Sequence, residues 1–205
     1  MLSYSKAVNH KMKNTLKCSA YLLARIILVC MLSFMALPMS SMAPNIFNPI
    51  LAVLYVFMLI YFFVLTMWYE GGKDANRVET GIMKPMPYKG YISAFIVTIP
   101  LMINSYAMYA VGPEVRNIFV SILRIIKVVI SFSTSYAITL FTSTTESDIL
   151  EGAQTQASDA LTAVIVFCVI YTVASVCAGI GYTFGYKKIE VFNPLKKMIM
   201  GLFTK

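Results

Sequence analysis

Residues 49–69 read PILAVLYVFMLIYFFVLTMWY and hold no charged side chain. As helix, 21 residues at 1.5 Å each reach about 31 Å, the thickness of a bilayer's hydrocarbon core. A barrel strand would alternate apolar and polar residues over about ten positions, whereas this run is apolar throughout. The segment predicts a transmembrane helix, and the rest of the chain is read outward from it.

Three further runs follow the same pattern: residues 18–38, 91–112 and 160–184. Composition agrees with them. Of 205 residues 59% are apolar and 13% charged, with a mean hydropathy of +0.74. Soluble domains carry about 25% charge, so this chain lacks the polar residues needed to wrap a soluble core. The expected fold is all-α, a polytopic membrane bundle of four transmembrane helices in one domain, 1–205.

Residues 114–142 fit the four-span scheme least well. Asn117, Ser121, Arg124 and Lys127 form one polar stripe on an otherwise apolar helix, and the following VVISFSTSYAITLFT is only 15 residues long. Charge decides how this piece is counted. With the N-terminus inside and four spans, the inner pieces hold fourteen of the 17 basic residues against four acids, +10. The outer pieces hold three basic residues against five acids, −2. The positive-inside rule expects such asymmetry. A fifth span would carry five C-terminal lysines outside. Both termini are therefore expected in the cytoplasm, with 114–142 as an interfacial or re-entrant outer segment. Phe192, Leu195, Met198, Ile199 and Leu202, behind Asn193-Pro194, predict an amphipathic cytoplasmic tail over 192–205.

The basic excess then needs no nucleic acid. Basic residues beside spans set topology and attract anionic lipid head groups, so the expected partners are the bilayer and those head groups. A membrane-protein partner or a second copy is the further expectation. A signal peptide is the other reading of the N-terminus, with Ser41-Met42-Ala43 as cleavage site, but Pro44 would follow the cut.

The long polar stretch WYEGGKDANRVETGIMKPMPYKG, 68–90, poses the functional question. One reading is chemical: Asp74 with Asn76, beside Arg77, resembles a hydrated cation or head-group site. The other is a connector. Trp68 and Tyr69 would close the second span as an aromatic belt, Gly71-Gly72 would break the helix, and Pro85 and Pro87 would keep the loop irregular. Lys73, Asp74, Arg77 and Glu79 would pair on its surface, where such pairs contribute about 0–1 kcal/mol. The connector is expected, so Asp74→Ala should leave folding nearly intact.

No catalytic, metal or cofactor signature accompanies it. There is no HExxH, GxSxG or phosphate-binding loop. His10 is the only histidine, and Cys18, Cys30, Cys168 and Cys177 form no CxxC. The expectation is a non-enzyme without a cofactor. Inside the spans, Arg25 reads as a snorkelling cation or half of an ion pair. Asn104, one turn after Pro100, reads as interhelical glue or the lining of a path. Ala174, Ala178, Gly181 and Gly185 form a small-residue series for close packing, within the chain or between copies.

The run W68-Y-E-G-G-K-D-A-N-R-V-E-T-G81, with Lys84, Tyr88-Lys89-Gly90 opening a span that contains Pro100, and the basic exit Gly181 to Lys188 resemble a pattern in small multi-pass bacterial membrane proteins of unassigned function. That resemblance implies a shared architecture, with the 68–90 stretch as its hallmark, and no activity. Two functions follow as expectations: a non-catalytic accessory, scaffold or assembly subunit, or a small transporter or permease component.

Overall fold

The computed structural model describes residues 2–111, 117–142 and 157–189, and among these every regular element is a helix. They are α1 (Leu2–Met35), α2 (Leu37–Met42), α3 (Pro44–Glu79), α4 (Lys89–Val111), α5 (Ile118–Ser131), α6 (Ser135–Thr139) and α7 (Ala157–Tyr186). Among the described residues four stretches are long and apolar enough to cross a membrane: Asn14–Met42, Pro44–Glu79, Lys89–Val111 and Asp159–Tyr186. They match the four expected spans. The expected tail, 192–205, lies outside the described residues.

The second span overturns the expected boundary. α3 continues ten residues past Tyr69, so Gly71 and Gly72 lie inside the helix. The terminator is Gly81, in the left-handed region at φ +72. Its N–H donates to Val78 O at 3.0 Å, and Ile82 N–H donates to Arg77 O at 2.9 Å. These two bonds define a Schellman ending with glycine in the position that favours it. α7 ends the same way without glycine. Lys188 takes φ +54, Lys188 N–H donates to Gly185 O and Ile189 N–H to Phe184 O. The connector between α3 and α4 is therefore short, residues 80–88.

Gly71 stays helical because of what it touches. A Cβ there would collide with the Tyr182 carbonyl of α7, and one at Gly181 would lie 2.7 Å from Val64 O of α3. A Cβ at Gly185 would meet the Trp68 carbonyl. Glycine inside a helix costs about 1 kcal/mol against alanine, and close backbone packing of α3 on α7 offsets it. Gly181 and Gly185 of the small-residue series on α7 are thus used within the chain, against α3, and Ala174 and Ala178 are buried.

α4 also packs on α7, and α1 touches both α3 and α4. The buried spine includes Leu22, Ile26, Leu59, Phe63, Met67, Phe167, Tyr171 and Tyr182, while Ile46, Val53, Phe57, Ile103, Ile165 and Val169 point outward. That apolar exterior suits a lipid environment.

Residues 118–139 form a helix, a tight turn and a second short helix. α5 begins at Asn117, whose side chain caps it by accepting from Phe119 N–H at 3.2 Å. Asn117 therefore belongs to the cap rather than the polar stripe. Beyond α5 the chain turns inside the bundle, with Ser133, Thr134, Ser135, Tyr136, Ala137 and Ile138 all buried. α6 packs against α3 and α7.

Candidate functional site

Two polar clusters occupy the bundle. The first lies where α1, α3, α4 and α7 meet, near the ends of α3 and α7. Helical spacing builds it. Tyr55, Leu59, Phe63, Met67, Gly71 and Ala75 recur every four residues along the buried face of α3, and Glu70 and Asp74 fall beside that row. Asp74 is therefore fully buried, not on a surface loop.

Its carboxylate is satisfied on both oxygens. Oδ2 receives Lys89 Nζ from the first residue of α4 in a short, buried ion pair, and the Tyr182 hydroxyl at 3.0 Å. Oδ1 receives Arg77 one turn on, at 3.2 Å. The Asn14 amide of α1, with its oxygen turned inward, accepts from Lys89 Nζ at 3.1 Å and from Arg77 at 3.2 Å. Four helices thus converge on one acid. Burying charges costs several kcal/mol each, and only paired, hydrogen-bonded geometry repays it. Here that geometry is present. Arg77 keeps its outer part in solvent, 43% exposed, so the network is tied to the rim as well.

A second acid stands one turn earlier. Glu70 is 6% exposed, accepts from Lys73 Nζ at 2.9 Å and lies 3.7 Å from the Cys18 thiol of α1. At the rim, Lys188 pairs with Glu79 at 2.7 Å and Trp68 Nε1–H donates to Ile189 O at 2.9 Å, fastening the end of α7 to α3.

The proposed pairing of Asp74 with Asn76 does not form. Two residues apart on a helix, they face different ways: Asp74 inward, Asn76 exposed. Surface pairing of Asp74 is likewise replaced by burial. Among the described residues Arg25 has no acid partner, and it lies over the Phe62 ring, 5.5 Å from its centroid. Asn104 bridges α4 and α5, donating to Leu123 O at 3.2 Å, while its Oδ1 is buried without a partner. Gly181 and Gly185 are packing positions. Lys89 and Tyr182 were missed by sequence reasoning. Nothing local marks them: Lys89 is one of 17 basic residues and Tyr182 one of 13 tyrosines.

The second cluster is neutral and centres on the turn after α5. Ser133 Oγ lies 2.9 Å from the Tyr171 hydroxyl, midway along α7. Tyr136 donates to Ser33 O at 3.1 Å and Tyr55 to Leu32 O at 2.8 Å, and the two rings stack at 5.5 Å. Those carbonyls belong to the last turn of α1, where the regular helical donors run out. Ser33 O still accepts from Ala36 N–H at 3.1 Å, and the tyrosine hydroxyls add a donor to each carbonyl. Cys30 Sγ adds a contact to Ile130 O at 3.5 Å.

No group of three metal-ligating side chains occurs among the described residues. The described residues form a helical bundle with four helices long and apolar enough to cross a membrane, and its buried polar groups include the charged Asp74 centre and the neutral Ser133 centre. Compared with known proteins, the chain matches no family model, no curated protein and no solved structure.

Proposed function

We propose that the chain is a non-catalytic multi-pass protein of the cell membrane, an accessory, scaffold or assembly subunit with both termini in the cytoplasm. One observation carries this reading. The two buried acids among the described residues, Glu70 and Asp74, are both engaged by cations of their own chain. Asp74 has both oxygens occupied, so it serves to hold four helices together, and neither of these two acids is left poised for proton or substrate chemistry. In this orientation the clamp lies at the cytoplasmic ends of the spans, and residues 117–142 enter from outside and return to the same side. Burial of 133–138 supports a re-entrant over an interfacial segment.

A permease component is the second reading. Asn104 Oδ1, buried and unpartnered beside Pro100, and a hydroxyl-rich turn halfway through the bundle favour it, since irregular backbone at membrane depth commonly lines a path. Purification in mild detergent with associated proteins separates the two. A stable membrane complex without a nucleotide hydrolase supports the accessory role, whereas a stoichiometric ATPase supports transport and overturns it. External thiol labelling tests the orientation: Asn45→Cys should react and Lys84→Cys should not.

A further inference from the structure

An open groove of about 680 Å³ runs between α1 and α3, lined by Tyr21, Arg25, Leu28, Leu65, Thr66 and Lys73 among others. Its size lies within the range of small-molecule sites, about 300–1,000 Å³. Its chemistry is amphipathic. Leu28 and Leu65 make an apolar wall, while Arg25 and Lys73 are cationic. Phe62, under the Arg25 guanidinium, stands seven residues before Tyr69, whose ring centroid lies 4.1 Å from the Lys73 ammonium, and seven residues of helix are about 10 Å. The two cations therefore sit at different depths.

The charge balance is positive. Glu70 also lines the groove, but Lys73 engages it, and the Lys17 ammonium stands 5.9 Å from the Tyr21 ring centroid. Among the described residues no carboxylate pairs with Arg25, whose partner is an aromatic face. An arginine inside an apolar span is costly unless an anion or water meets it.

We propose that this groove binds one anionic phospholipid, its phosphate on Arg25 with Lys73 at the mouth, and an acyl chain along Leu28 and Leu65. The bilayer itself supplies the ligand. The site does not depend on whether the protein is an accessory subunit or a permease component, only on its residence in a membrane.

Native mass spectrometry of the full chain in detergent, incubated with equimolar phosphatidylglycerol and phosphatidylcholine, tests this. The wild type should retain phosphatidylglycerol over phosphatidylcholine by about five-fold, the scale of one basic contact. Arg25→Gln should abolish that preference. Thr66→Phe, which keeps every charge and fills the groove, should lose the bound lipid, and it decides the matter should Arg25→Gln fail to fold. Equal retention of both lipids by the wild type overturns the proposal, as does lipid retention by Thr66→Phe. A two-chain complex in the wild type that dissociates in Thr66→Phe would assign the groove to a second copy and overturn it equally.

Discussion

The two buried polar centres solve the same problem in different ways. At the Asp74 end, charges on α3 and α4 meet neutral polar groups from α1 and α7, and each carboxylate oxygen has a donor. At the Ser133 turn, neutral hydroxyls meet backbone carbonyls, and nearby capacity is left over: Ser33 Oγ, like Asn104 Oδ1, is buried without a partner. An unpaired charge could not persist in such surroundings, while an unpaired hydroxyl costs far less. The charged centre therefore tolerates one arrangement, and the neutral one can exchange partners at modest cost. Stability should concentrate in the first.

The largest effect expected is steric and lies on the seam beside the charged centre. Gly185→Leu drives a side chain into the Trp68 carbonyl and should destabilise by more than about 4 kcal/mol, seen as loss of monodisperse protein in detergent. Asp74→Ala comes next. It strands Lys89, which is 2% exposed, and should cost about 3–5 kcal/mol in thermal unfolding. Asn76→Ala, two residues away and exposed, should stay within about 0.5 kcal/mol. Equal effects at 74 and 76 would restore the surface-loop picture.

The neutral centre should respond less. Tyr136→Phe removes one hydrogen bond to Ser33 O while keeping the stack on Tyr55, and about 1 kcal/mol is expected from the same melts. A loss as large as that of Asp74→Ala would remove the distinction between the centres.

How much of this was legible in the sequence depends on length and charge. The four spans were legible because continuous apolar runs have few alternatives. The clamp was not, because Gly71-Gly72 reads as a break when only local propensity is weighed. Two signals pointed the other way. The four-residue row from Tyr55 through Met67 extends without interruption to Gly71 and Ala75, and Thr80-Gly81 offers a better terminator. Following that row would have placed Asp74 on the buried face. Its partners Lys89 and Tyr182 lie 15 and 108 residues away in sequence, and no local pattern announces contacts of that span. The turn at 132–134 was hidden for a related reason. Ser133 meets the Tyr171 hydroxyl 38 residues away, and Tyr136, just past the turn, meets Ser33 O 103 residues away.

The most direct test is a double-mutant cycle on Asp74 and Lys89, using Asp74→Ala, Lys89→Ala and both together, with unfolding followed in one detergent. If the two side chains form a buried pair, Asp74→Ala strands the Lys89 charge and Lys89→Ala takes from Asp74 its buried counter-ion, leaving Arg77 and Tyr182, so the double mutant should recover about 2–3 kcal/mol relative to the sum. Additivity within about 0.5 kcal/mol would mean that the two charges do not meet, and the clamp that joins the four helices would be wrong.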